Sequence, residues 1–214
     1  MENYEILRHD RELKEIIEAI NVKNKDLLHA CHGWQHTKFV VETVEYILRS
    51  LEYDEHTIEL GKISALLHDI GNLTGNRDYE LKSCEMSEYF LDKTHLTGYD
   101  KKRIKQAIKN HTNGEELDTP FGAVLLLADN VDLVKDRVLP LGKKDEWYSN
   151  LLEISNREIV VEENKIIINY FITDKFSKST FDKVWQKVKA LLERVCKYLE
   201  CELVFRLNVK EESS

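Results

Sequence analysis

Through the first two-thirds of the chain, apolar residues recur at intervals of three and four. Ile6, Leu13, Ile16, Ile17 and Ile20 follow this helical spacing, as do Val40, Val44, Ile47, Leu48 and Leu51. Glu59 to Asp69 keeps the same rule and is apolar enough to be a central helix. The polar run Asn72-Leu73-Thr74-Gly75-Asn76-Arg77-Asp78 predicts a loop. A helix resumes near Leu81 and passes through Met86, Phe90 and Leu91; another holds Ile104, Ala107 and Ile108 and ends near His111. Thr119-Pro120 supplies a cap and a first-turn proline for the helix that follows. Near residue 155 the period drops to two. Ile159 and Val161, then Ile166, Ile168, Tyr170 and Ile172, predict two strands joined by a turn at Glu163-Asn164. Phe181 to Leu199 is amphipathic at helical period, and Cys201 to Val209 alternates as a last strand.

The expected fold is therefore mostly α, with a helical domain over residues 1–150 and a strand-strand-helix-strand appendage of α+β type over residues 151–214. Three strands and one helix make a small layer, so the appendage is expected to pack on the helical core or on a second subunit as a homodimer. Two prolines and eight glycines in 214 residues argue against a long flexible linker. The net charge of -8 offers no electrostatic footprint for duplex nucleic acid, while leaving room for a small anion held by local cations. Cys31, Cys84, Cys196 and Cys201 show no CxxC spacing, and the first residues lack a basic start and an apolar core. No apolar run approaches the roughly 20 residues that span a bilayer. The expected setting is the cytoplasm, with reduced thiols and no membrane partner.

Chemistry enters at His68-Asp69, which is set inside Ile63-Ser64-Ala65-Leu66-Leu67-His68-Asp69-Ile70-Gly71. A buried carboxylate calls for a cationic partner. Gly71 reads as a helix stop, which would place the pair on a last turn whose dipole also favours a cation. Imidazole nitrogen beside carboxylate oxygen suits a divalent transition metal. Upstream, His36 lies in Gly33-Trp34-Gln35-His36; downstream, Asp129 lies in Ala128-Asp129-Asn130-Val131-Asp132, again an acid inside an apolar helix.

This order (Gly-x-x-His, Leu-Leu-His-Asp-Ile-Gly, Ala-Asp-x-x-Asp) resembles the HD-domain superfamily of metal-dependent phosphohydrolases over roughly residues 25 to 140. The resemblance implies an HD-type helical bundle and a metal held by His36, His68, Asp69 and Asp129. It implies hydrolysis of a phosphomonoester or phosphoanhydride, a nucleotide foremost among small phosphorylated substrates, by water that the metal activates. The ion would be Mn, Fe, Co, Ni, Zn or Mg. Asp69 is expected to orient the water, and His111, in a position where relatives contact phosphate or a second metal, to neutralise charge or protonate the leaving group. His32, Asn72, Lys38 and Asp132 are expected around the substrate or behind the ligands.

The chain departs from its relatives at two points. Relatives with two metals carry another histidine after the loop, where this chain has Glu80-Leu81-Lys82-Ser83-Cys84-Glu85, so one metal per site is expected. Many relatives place a phosphate-reaching lysine where this chain has Asn72; Arg77 is the first candidate to replace it, with Lys38, Lys82 and Arg137 behind. Two rivals remain: a non-catalytic module that senses a nucleotide or metal, and oxygen chemistry at a di-iron centre, which the missing histidine disfavours.

Overall fold

The computed structural model describes residues 2–75, 78–114 and 116–209. Two compact units emerge, one made of the chain up to Asn24 with His32–Asp129, the other of Lys25–Cys31 with the chain from Asn130 onward. The first unit is helical and the second carries the strands, as the change of period indicates. The dividing line falls at Asn130 instead of near residue 150. Residues 130–150 contain only short turns and one short helix, and buried polar contacts tie them to the strand unit.

In the first unit, α1 (Asn3–Arg8), α2 (Arg11–Asn24), α3 (Trp34–Ser50) and α4 (Glu55–Leu67) precede a 3-10 turn at Ile70–Thr74. Then come α5 (Tyr79–Leu91), α6 (Gly98–Asn110) and α7 (Pro120–Asn130). The apolar runs of α4 and α7 are buried almost all round, from Ile58 to Leu67 on one and Phe121 to Ala128 on the other. That explains why their sequences show little amphipathic bias: a helix with no solvent face needs none. Short polar side chains set the starts. Asp54 accepts from the Thr57 N–H at 2.9 Å, and Thr119 Oγ1 accepts from the Gly122 N–H at 3.1 Å.

The start of α6 is a reciprocal pair. Thr97 Oγ1 accepts from the Asp100 N–H at 3.1 Å and donates to Asp100 Oδ2 at 2.6 Å, while His56 Nε2 lies 3.1 Å from Asp100 Oδ1. Burial pushes the Asp100 carboxyl up, but the Thr97 hydroxyl and His56 more than offset this and hold it below its ordinary value. A depressed folded-state pKa gives stability that is complete above the unfolded value, about 3.9, and is lost as pH falls through the folded one. Asp100→Asn is therefore expected to destabilise the protein by about 1 kcal/mol at pH 7 and by progressively less below pH 4. Urea titrations at the two pH values check this; a gap that widens in acid would contradict it.

In the second unit, α8 (Glu146–Asn150) precedes β1 (Ile154–Glu162), β2 (Lys165–Ile172), α9 (Lys178–Tyr198) and β3 (Glu202–Val209). The sheet order is β1-β2-β3, antiparallel between β1 and β2 and parallel between β2 and β3, because α9 carries the chain back across. Glu163 turns the hairpin at φ 52°. One face is filled by α9, where Tyr170, Phe181, Trp185 and Phe205 make a ring cluster with centroids 4.5 to 6.2 Å apart. α9 ends in a left-handed Glu200 (φ 56°), with the Cys201 N–H bonded back to Cys196 O at 2.7 Å and the Glu200 N–H to Lys197 O at 3.2 Å. No described helix is long and apolar enough to cross a membrane.

None of the four cysteines is in a disulfide. Burial pushes the Cys196 thiol up to about 12, with Cys201 and Glu193 adding to it. Only about one Cys196 in ten thousand would then be ionised at pH 8. Labelling of the native protein with a thiol reagent, mapped by mass spectrometry, is expected to leave Cys196 unmodified until urea is added.

Candidate metal centre

Three segments of the helical unit bring the site together. His36 sits in the first turn of α3, just inside Gly33. α4 ends at Leu67, with His68 as its C-cap and Asp69 one residue past the helix, at φ −110° and ψ 4°. Asp129 projects from the last turn of α7. The expected helix stop at Gly71 takes a different form. Gly71 has no positive φ; it lies within the 3-10 turn because the chain approaches α5 too closely there for a side chain. Leaving the helix after Leu67 frees the pair from the 100° separation of neighbouring helical side chains. His68 Nε2 and Asp69 Oδ2 thus come within 3.2 Å of each other.

His36 Nε2 lies 3.2 Å from His68 Nε2, 3.4 Å from Asp69 Oδ2 and 3.2 Å from Asp129 Oδ1. His68 Nε2 is 3.8 Å from Asp129 Oδ1, and one atom from each of the four residues falls within 4.8 Å of the others. Donor atoms bonded to one transition ion at about 2.0–2.2 Å stand roughly 3–4 Å apart, so the set has the spacing of a coordination shell. The tautomers agree. His68 Nδ1 donates to the Ala65 carbonyl at 2.7 Å, which leaves the Nε2 lone pair turned toward the other donors. Such a convergence of lone pairs and carboxylates needs a cation or a proton between them.

The protonation of the buried groups makes the same point. Burial alone would pull the His68 imidazole down, but Asp69 and Asp129 overcome it and push it up to about 10. Burial likewise raises both carboxyls, and the surrounding imidazoles reverse this to hold each well below the usual carboxylate range. A divalent cation answers the same field and displaces the proton on binding.

Around this shell lie the supporting groups. His32 Nδ1 donates to Asp69 Oδ2 at 2.6 Å, and Asn72 Nδ2 donates to Asp69 Oδ1 at 2.9 Å. The Asn72 carbonyl in turn accepts from Asn24 at 2.7 Å, and the Gly71 N–H donates to Ser83 Oγ at 2.9 Å. His111, the C-cap of α6, donates from Nδ1 to the Ile108 carbonyl at 2.5 Å. Its Nε2 is buried without a hydrogen-bond partner among the described residues and lies 3.8 Å from Asp69 Oδ1. The Tyr79 ring stands 6.3 Å from His32 and 5.9 Å from His111, centroid to centroid.

His32, Asn72 and His111 thus gather at Asp69. The other described candidates have partners of their own. Asp132 is buried in the second unit, with Arg157 Nη2 at 2.5 Å and Arg137 Nη1 at 3.5 Å from its carboxylate, because a buried charge takes the nearest cations. Arg137 is committed there as well, and its Nε donates to the Cys31 carbonyl at 2.9 Å. Lys38 is exposed and lies 3.7 Å from Glu42; Lys82 pairs with Glu85 at 2.7 Å. Arg77 lies outside the described residues. Asn24 and Ser83, which hold the turn from behind, carry no signal in the sequence: each is one polar residue in a helix, joined to the site only by tertiary structure.

A model of the HD domain matches residues 33–139, half of the chain, with all four converging residues inside it. The chain belongs to the HD domain family. A comparison with curated proteins gives no match. HD domains form a family of metal-dependent phosphohydrolases that bind divalent metals, and this HD domain carries a His/Asp cluster able to hold one.

Proposed function

We propose that the protein is a metal-dependent phosphohydrolase acting on a phosphomonoester or phosphoanhydride, with nucleotides as the leading substrate class, and that it uses one divalent transition ion per site. The convergence of His36 Nε2, His68 Nε2, Asp69 and Asp129 on one point carries the reading. When bound, the ion supplies Lewis acidity toward a phosphoryl oxygen and acidifies a water molecule. Asp69 would accept a hydrogen bond from the attacking water and orient it for in-line attack. Its own position is fixed by His32 on one oxygen and Asn72 on the other. His111 presents Nε2 to the same space, where a proton on that nitrogen can neutralise phosphate charge or pass to the leaving oxygen. The bond broken is P–O, and the attacking water contributes the oxygen of the phosphate released.

Phosphate release from a panel of nucleotides and sugar phosphates tests the reading, with added manganese, cobalt, nickel or magnesium and with Asp69→Asn run alongside. Turnover by the native protein alone supports it. Equal background in both proteins, with the metal shown to be bound, would overturn it.

A further inference from the structure

From the strand unit we infer that two copies of this chain pair through β3, edge to edge and antiparallel across a two-fold axis at Val204. Edge strands expose unpaired N–H and C=O groups and are ordinarily blunted by bulges or repeated charge. The opposite edge of this sheet is interrupted in that way: β1 carries an irregularity of register between Ile154 and Asn156. In contrast, β3 pairs with β2 in unbroken register from Glu202 to Val209 and ends the sheet among the described residues. Beside it runs a groove of about 400 Å³, lined on the strand by Leu203, Phe205 and Leu207.

The charges select the occupant and the register. A two-fold axis at Val204 sets Glu202 of each copy opposite Arg206 of the other, and Leu203 opposite Phe205. Glu202 is largely exposed and, among the described residues, makes only a long 3.9 Å approach to Lys165, so its carboxylate is available to a partner. The helix beside the groove repeats the pattern. Along the side of α9 that borders the groove run Lys178, Asp182, Gln186 and Lys189, with Glu193 beyond, and within one copy Lys178 pairs with Asp182 at 2.5 Å and Lys189 with Glu193 at 3.5 Å. Read antiparallel against itself about a point between Trp185 and Gln186, this order places Lys178 against Glu193 and Asp182 against Lys189. The two centres belong to neighbouring parts of one packed layer, the Trp185 and Phe205 rings lying 4.5 Å apart. One axis therefore satisfies the strand and the helix together, which fits a second copy better than an unrelated strand.

Sedimentation equilibrium of the full chain, from about 1 to 100 µM, tests the inference. The native protein is expected to be a dimer. Arg206→Glu and Glu202→Arg, each setting like charges opposite one another twice per dimer, are expected to weaken association about tenfold or more. The double variant Glu202→Arg/Arg206→Glu is expected to restore it. Far-ultraviolet circular dichroism confirms that each variant is folded, and the double exchange separates a lost contact from a damaged strand. A native protein that stays monomeric would overturn the inference and leave the edge to another chain. So would a dimer indifferent to both single exchanges.

Discussion

Asp69→Asn is expected to leave the purified protein with almost no bound transition metal and no metal-dependent phosphate release. Asp69 is the point where the site's interactions cross. Its Oδ2 lies 3.2 Å from His68 Nε2, 3.4 Å from His36 Nε2 and 2.6 Å from His32 Nδ1, while Oδ1 accepts from Asn72. An amide keeps the size of the side chain and removes half the anionic charge of the four-ligand set. Loss of a group merely supporting a ligand costs about 10–100-fold in metal affinity, so loss of a carboxylate ligand is expected to exceed about 100-fold. Metal content by mass spectrometry reads this without reference to activity. Thermal stability reads it a second time. Metal at about 100 times its dissociation constant stabilises a folded protein by roughly 2.7 kcal/mol, equivalent to about 5–10 °C in Tm for a chain of this size. The native protein is expected to show that rise on adding manganese or cobalt, and Asp69→Asn to show little. Equal metal content in the two proteins would remove Asp69 from the ligand set.

The helices, the change of period near residue 155 and the four converging residues were legible in the sequence for a common reason. Each is written locally, as a spacing of apolar residues or as an acid or imidazole set where only apolar side chains should be. His68-Asp69 and Asp129 stood out as polar residues in apolar runs that the structure shows to be buried, while His36, in a polar run, was marked only by the resemblance of its Gly-x-x-His motif. Asp132 carried the same signal and meant something else. A buried carboxylate demands a cation, and for Asp132 the cations are Arg137 and Arg157 instead of a metal. Pattern fixes the demand, while the three-dimensional arrangement decides which partner meets it. The supports behind Asp69 were partly hidden for a related reason. The contact from Asn24 to Asn72 spans 48 residues, and nothing in either helix pattern marks it. The boundary near residue 150 rested on where regular strands begin. The unit also takes in residues 130–150 and Lys25–Cys31, segments joined by single contacts such as the Ala30–Val138 bridge and not by a repeating pattern.

Gly71→Ala is expected to cost about 3 kcal/mol and, unlike most core substitutions, to weaken metal binding as well. Its backbone conformation is open to alanine, so the cost is steric. A Cβ at Gly71 would stand 2.2 Å from the Tyr79 carbonyl oxygen, 2.4 Å from the Ser83 nitrogen and 2.8 Å from Ser83 Oγ. Two of these are main-chain atoms near the start of α5, and no side-chain rotation relieves them. The 3-10 turn and α5 must separate, which stretches the 2.9 Å bond from the Gly71 N–H to Ser83. The same turn carries Asn72, whose amide holds Asp69 Oδ1, so the displacement passes directly to a metal ligand. A loss of about 6–12 °C in Tm is expected, together with reduced metal content measured at a temperature where the variant is still folded. Gly98→Ala provides the contrast. Gly98 is the first residue of α6, with no atom within 4 Å of its added Cβ, and that substitution is expected to be neutral or to stabilise by about 0.5 kcal/mol. If Gly71→Ala melted with the native protein, or lost stability while keeping its metal, the close approach of the turn to α5 would not be what positions Asp69.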